Sequence, residues 1–321
     1  MKRGRTSPSG ATDERLDGRV VAAFGRHCIV ESGDGTRRIC HPRGKKSQVV
    51  VGDLVLWQPS GDEGSIEQVR ERRNLFYRQD ELRTKSFAAN LDQVLVLVAA
   101  DPVFSERQLS RALIAAEAEG IPALIVLNKR DLEPAYAQAW ERLAPYRRMG
   151  VRVLPLQLKG DGLETVDALR AQLDGRHTLI LGPSGAGKST LVNRLVPDAG
   201  AQTGDLSRAL NSGKHTTTTT TWYWTDHDHH TALIDSPGFQ EFGLHHIEAQ
   251  QLASLMPDLR ANLGECRFYN CTHLHEPGCG VRNHILPDDA PAGAAGDTSI
   301  SATRYRIYQD LFAELSAPAR Y

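Results

Sequence analysis

The chain has 321 residues, 38 Lys and Arg against 39 Asp and Glu, a formal net charge of −1, 40% hydrophobic and 24% charged residues. That length suits about two or three domains, and the near-balance of charge argues against a general polyanion binder. The basic opening MKRGRTSPSG leads into no apolar stretch and the longest apolar run, Val94 to Ala100, is far too short to span a bilayer, so a cytoplasmic protein with no signal peptide and no membrane role is expected.

Residues 1–15 are rich in Gly, Ser and Pro and read as a flexible basic arm. Over residues 1–50, eleven Lys and Arg stand against five Asp and Glu, a local excess of six. Short apolar segments around turn residues follow each other there: Val20-Val21, Cys28-Ile29-Val30, Ile39-Cys40, Val49-Val50-Val51 and Leu54-Val55. They predict a five-stranded β-barrel of the OB type over residues 16–75, a fold that binds nucleic acid along a charged groove. Aromatic residues are scarce (Phe24, Trp57), so phosphate and shape contacts to structured RNA fit better than base stacking. An ordinary solvated basic face accounts for the same charges. Cys28 and Cys40 fall on predicted strands and are expected to be buried free thiols. Arg70 to Ser86 is charged and reads as a linker.

From residue 76 to 243 strands alternate with helices, the pattern of a mostly parallel sheet covered on both faces. Strands are predicted at Gln93–Ala100, Ala123–Leu127, Val151–Leu156 and Thr178–Leu181, with helices from Ser105, from about Pro134, and over Leu163–Leu173. Ser105 and Gln108 form a capping box. At the carboxyl edge of the second strand stands Asn128-Lys129-Arg130-Asp131, an NKxD signature. Ligands bind at such edges in open α/β sheets. Asp131 is placed to accept hydrogen bonds from guanine N1–H and the 2-amino group. Adenine offers neither donor, which argues against an ATPase or kinase.

Gly182-Pro183-Ser184-Gly185-Ala186-Gly187-Lys188-Ser189 is a P-loop, followed by Thr190 and a predicted helix through Leu195. Its backbone N–H groups cradle phosphate oxygens, Lys188 reaches the β- and γ-phosphates, and Ser189 offers a hydroxyl to Mg²⁺. After a strand at Thr231–Ile234 comes Asp235-Ser236-Pro237-Gly238, a DxxG element. Asp235 is expected to hold Mg²⁺ through water, and the Gly238 N–H to sense the γ-phosphate. The guanine signature thus precedes the P-loop, the reverse of an ordinary GTPase, so the domain is circularly permuted. Phe239 occupies the place where many GTPases carry a water-orienting Gln. Gly213-Lys214-His215 and the threonines from Thr216 to Thr221 supply candidates to compensate: Thr216 or Thr217 as a switch hydroxyl for Mg²⁺, and His215 as the group that positions or deprotonates water. A polar loop entering a Thr-rich strand explains the same residues. Asp226-His227-Asp228-His229-His230 reads as a hairpin turn.

Residues 244–321 form a zinc-binding helical domain by expectation. Cys266, Cys271, His273 and Cys279 give the pattern C-x₄-C-x-H-x₅-C, soft ligands for one structural zinc, with His275 and His284 as alternative imidazoles. Few large apolar residues follow Leu263, so the metal must supply stability.

The permuted order, the GKHTTTT segment, the DSPGF element and these cysteines together resemble the RsgA family of bacterial, ribosome-dependent GTPases. The resemblance runs from about Leu16 to the end. It implies hydrolysis of GTP to GDP on the small ribosomal subunit and its rRNA during late maturation, stimulated by the subunit and coupled to release, by a monomer carrying one zinc. It selects His273 as the fourth zinc ligand. Two features depart from the family pattern: no Ser-Ala element stands near Leu156-Gln157-Leu158, and Pro287 to Gly296 looks inserted. The cysteine-bearing region follows the DxxG element so closely that loss of the γ-phosphate is expected to swing it.

Overall fold

The computed structural model describes residues 15–25, 27–43, 48–81, 83–196, 199, 219–237, 239, 242–287, 296 and 298–318. The expected basic arm up to residue 14, the switch residues His215, Thr216 and Thr217, and Gly238 lie outside these described residues.

Five strands open the chain: β1 (Leu16–Phe24), β2 (His27–Ser32), β3 (Arg37–Pro42), β4 (Leu54–Ser60) and β5 (Glu63–Val69). They pair in the order β1-β2-β3-β5-β4, and a further β1–β4 pairing closes the barrel. Alternation does the sorting. Val20, Cys28, Val30, Cys40, Val55, Trp57 and Ile66 point inward, whereas Val21, Ala22 and Ile29 face the rest of the molecule. The Trp57 indole fills the interior because glycine stands opposite it: a Cβ on Gly64 would lie 2.6 Å from the ring. Buried there, Trp57 offers no base a stacking face. Cys28 and Cys40 face each other across β2 and β3 as free thiols, both pushed up to about 12 by burial and therefore unreactive. Several barrel cations have partners: Arg37 with Glu31, Arg43 with Glu67 and Arg70 with Asp17.

The segment read as a charged linker is instead an antiparallel hairpin, β6 (Leu75–Gln79) and β7 (Thr84–Ala89). Its charges sit around two apolar anchors, Phe76 and Phe87, which pack on Phe242 at ring distances of 5.6 and 5.7 Å.

The central sheet contains β8 (Gln93–Ala99), β9 (Ala123–Asn128), β10 (Arg152–Pro155), β11 (His177–Leu181), β12 (Thr221–Trp224) and β13 (Ala232–Asp235), in the order β10-β9-β8-β11-β13-β12. Only β12 runs antiparallel. All seven residues of β8 are buried, as a strand covered on both faces requires. Helices α1 (Glu106–Ala118), α2 (Ala135–Arg142), α3 (Ala144–Arg148), α4 (Leu163–Leu173) and α5 (Lys188–Leu195) connect the strands. Ser105 caps α1 by accepting the Gln108 N–H. The histidine-rich turn joins β12 to β13 as a hairpin, with the Asp226 carboxylate accepting the N–H groups of His230 and Thr231. Barrel and sheet meet where Ala22 of β1 pairs with Thr221 of β12.

Beyond the sheet, short helical turns over Ala249–Leu255, Pro257–Arg260 and Gly280–Asn283 lead to the long helix Ala302–Ser316. Their apolar residues, among them Leu252, Leu259, Val281, Ile307 and Leu311, belong to the same buried cluster as Leu109 and Ala112 of α1. Arg304 is 1% exposed, grips Asp258 with two hydrogen bonds of 2.8 and 2.9 Å, and donates to Ser110 of α1 at 2.7 Å. No helix among the described residues is long and apolar enough to cross a membrane.

Candidate functional site

Because β11 lies beside β8, the glycine loop after β11 opens next to the carboxyl ends of β8 and β9. A cleft of about 930 Å³ forms there. Of the residues read from the sequence, Asn128, Lys129, Asp131, Gly182, Pro183, Ser184, Gly185, Gly187, Lys188, Ser189, Thr190 and Asp235 line it. Ala186 lies buried beneath, and its carbonyl accepts a 2.9 Å hydrogen bond from the Asn128 amide, so the two motifs are braced directly. Gly187 is obligatory at that contact. Its φ is +107°, and a Cβ would come within 2.5 Å of Asn128 Nδ2. Arg130 is not brought in: it is exposed and pairs with Glu164 at 3.1 Å. Asp131 is exposed at the cleft rather than buried.

The electrostatics of the cleft rest on one partly buried cation and one buried anion, Lys188 and Asp235. The Lys188 ammonium folds back onto the loop's own carbonyls, donating to Gly182 at 2.5 Å and Pro183 at 3.3 Å. Burial lowers its pKa, and the carboxylate of Asp235 partly offsets this. Asp235 is raised, again chiefly by burial and with Lys188 opposing. Asp235 Oδ1 is buried without a hydrogen-bond partner. Such an orphaned oxygen suits a hydrated cation, and Ser189 lines the same cleft, so the donor set fits a magnesium ion.

Sequence reasoning missed Asp101, Leu132 and Lys159, which line the cleft together with Leu158 and with Ser236 and Pro237 of the DxxG element. Leu158 stands where a family-like Ser-Ala element is lacking. Asp101, Leu132 and Lys159 carry no motif of their own and reach the site just past the ends of β8, β9 and β10, which only the folded topology reveals. Phe239 lines the cleft at 5% exposure. The Lys85 ammonium of β7 donates to the Pro237 carbonyl at 3.1 Å, a link from the hairpin to the DxxG element that nothing in the sequence announced.

The ligand atoms of Cys266, Cys271, His273 and Cys279 lie within 4.8 Å of one another. His273 Nδ1 is 3.5 Å from both the Cys266 and Cys279 sulfurs. A tetrahedral zinc with the usual Zn–S and Zn–N distances sets that separation at about 3.5 Å. His275 is exposed, and His284 Nδ1 lies 2.9 Å from the Gly280 carbonyl, so neither alternative imidazole joins the cluster. The ligand loop is organised from outside. The Glu276 carboxylate accepts from the N–H and hydroxyl of Thr272, and the hydroxyls of Tyr305 and Tyr308 donate to the carbonyls of His273 and Thr272.

Comparison with known proteins agrees with this geometry. A family model described as RsgA GTPase matches residues 69–245. The small ribosomal subunit biogenesis GTPase RsgA of Variovorax paradoxus is 64% identical over 318 residues, 98% of each chain. That of Burkholderia pseudomallei is 50% identical over 326 residues, 100% of each. The crystal structure of YjeQ from Thermotoga maritima superposes with a TM-score of 0.69 at 27% identity, covering 95% of this chain and 100% of that one. YloQ, a circularly permuted GTPase, shares the fold with a TM-score of 0.67 at 23% identity over 98% and 100% of the two chains.

Proposed function

The chain belongs to the RsgA GTPase family, and from that premise we propose that its cleft binds GTP with Mg²⁺ and hydrolyses it on the small ribosomal subunit. The observation that carries this reading is the bracing of Asn128 against Ala186, which makes one cleft of a base-reading and a phosphate-binding motif. In it Asp131 reads the guanine edge, the loop from Gly182 to Ser189 cradles the phosphates, and Lys188 leaves its own carbonyls for the β- and γ-phosphates. Ser189 and Asp235 hold the magnesium, which supplies charge neutralisation as the γ-phosphoryl group transfers. A phenyl ring at Phe239 cannot orient water. That task is assigned to His215, with Thr216 or Thr217 completing the magnesium site.

The cluster of Cys266, Cys271, His273 and Cys279 holds one structural zinc: three soft thiolates and an imidazole leave no position open for substrate. The working division is a barrel over 16–75 that contacts rRNA, a permuted GTPase domain over 76–243, and a zinc-bearing region over 244–321. The protein acts as a cytoplasmic monomer during late maturation of the subunit, which stimulates hydrolysis and is then released. The relatives' names, small ribosomal subunit biogenesis GTPase, support the choice of partner. Phe239 favours a second reading, an RNA-binding scaffold that merely holds nucleotide. Steady-state GTP hydrolysis with no addition, small subunits or large subunits separates the two. Stimulation confined to small subunits is expected; equal, slow turnover in every mixture would select the scaffold.

A further inference from the structure

Among the described residues only two Phe, Tyr or Trp side chains are exposed, and they are neighbours: Phe268 at 40% and Tyr269 at 104%. Both lie in the four-residue turn between the first two cysteines of the metal cluster. The other described tyrosine and phenylalanine rings of residues 244–318 are covered, Tyr305 and Phe312 partly and Tyr308 almost completely. Folding therefore gives no reason for Tyr269, which touches nothing that its ring would stabilise.

The turn is held rigidly. Cys266 and Cys271 belong to the cluster at either end, the Arg267 N–H donates to Gly278 at 3.0 Å, and the Cys271 N–H donates to Phe268 at 3.2 Å. A ring presented on a fixed backbone loses little conformational freedom when something packs on it. The chemistry of the turn is also selective. Residues 267–270 are Arg-Phe-Tyr-Asn, with the Arg267 guanidinium 5.5 Å from the Phe268 ring centre and no acid among the four. The nearby Glu276 carboxylate is taken up by Thr272. Aromatic faces beside a guanidinium suit a nucleobase with its phosphate. A protein partner fits less well, because a stable protein interface needs about 800 Å² from each side, more than a four-residue convex turn presents.

We propose that the turn Arg267–Asn270 is a stacking tip for an unpaired RNA nucleotide, with Tyr269 against the base and Arg267 toward its phosphate. This rests on the reading that the protein engages the small ribosomal subunit. It adds a second kind of RNA contact to the barrel, whose own tryptophan is buried.

The test uses the full chain with its metal bound. Tyr269→Ala and Tyr269→Phe are compared with the wild type for zinc content, affinity for purified small subunits, and photocrosslinking to a short unstructured oligouridine carrying thiouridine. The expected result is unchanged zinc, about tenfold weaker binding of Tyr269→Ala to subunits, recovery in Tyr269→Phe, and a crosslink from the oligonucleotide to Tyr269 in the wild type. Wild-type affinity in Tyr269→Ala would overturn the proposal. So would weakened subunit binding without any oligonucleotide crosslink at Tyr269, which would assign the turn to a ribosomal protein. Failure of the wild type to bind subunits at all would defeat the parent reading. In that case the oligonucleotide crosslink still decides the tip, its presence supporting the stacking role and its absence ending it.

Discussion

The two ends of the chain are attached to the nucleotide-binding sheet in opposite ways. The barrel carries its own interior, built on Trp57 and enclosed by five strands, and meets the sheet through the pairing of Ala22 with Thr221. Around that seam Arg19 stacks on Trp222 at 4.6 Å, and the Trp224 indole donates to the buried Glu31 at 2.7 Å. The cysteine-bearing region has no separate interior: its leucines and isoleucines pack into the cluster that also holds α1. Arg304 fastens it from within by bonding Asp258 and Ser110 together. A swing of residues 244–321 after γ-phosphate loss would have to part these buried groups, so the shared core argues against that expectation. The difference teaches where independence lies. The barrel, with an interior of its own, is expected to unfold by itself, whereas the C-terminal region packs as an extension of the GTPase core.

The severest way to break this comparison is to remove the proposed zinc. Chelation at Cys266, Cys271, His273 and Cys279 forfeits a binding energy on the order of 10 kcal/mol and leaves the loop without a core of its own. Because the core is shared, loss of protection should spread to α1 and to the nucleotide cleft while the barrel stays folded. Hydrogen exchange before and after chelation reads this directly. Exchange confined to residues near the cysteines would mean that the region is a separate module after all. Next in size is Arg304→Leu, which strands the Asp258 carboxylate in the interior and should cost about 3–5 kcal/mol in urea unfolding. Adding Asp258→Leu removes the stranded charge and should recover most of that loss.

Most of the cleft was legible because phosphate and base recognition demand fixed residue types in fixed order, as in the loop from Gly182 to Ser189. The barrel strands were legible too, since inward and outward residues alternate through Val20-Val21 and Cys28-Ile29. What failed was long-range. Arg70 to Ser86 reads as a linker because its few apolar residues are scattered among charges, and the partner that anchors Phe76 and the adjoining Phe87 is Phe242, more than 150 residues away. Nothing in the residues around Arg304 marks it for burial; Asp258 and Ser110, distant in sequence, fold around it. Arg130 sits inside a motif, yet its side chain turns outward to Glu164. Local chemistry is written in local sequence; burial of a lone charge or a lone ring is decided by the far side of the fold.

Two further changes sharpen the comparison. Trp57→Ala empties the barrel interior at a cost of about 3–5 kcal/mol. If the barrel is independent, chemical unfolding should split into an early barrel transition and an unshifted later one. A single, uniformly shifted transition would show that the seam couples them tightly.

The smallest effect is expected inside the cleft. Asp235 has its pKa raised by burial, so the nucleotide-free protein gains relative stability when this carboxyl is protonated. That contribution is fully present below the ordinary aspartate value of 3.8 and is lost as pH rises through the raised folded value. Lys188 is the mirror case: its lowered pKa gives a contribution that is present above the ordinary lysine value of 10.5 and lost as pH falls through the folded one. At neutral pH the nucleotide-free protein therefore carries both penalties. Asp235→Asn removes the charge but keeps the shape, and should raise the Tm of the nucleotide-free protein by about 2–4 °C. The gain over wild type should vanish in acid, where wild-type Asp235 is itself protonated. It should also reverse when magnesium and GTP are added, because the variant has given up a ligand to the cation. A variant no more stable than wild type at neutral pH would mean that Asp235 is already compensated in the empty protein, and that its orphaned oxygen says nothing about the metal.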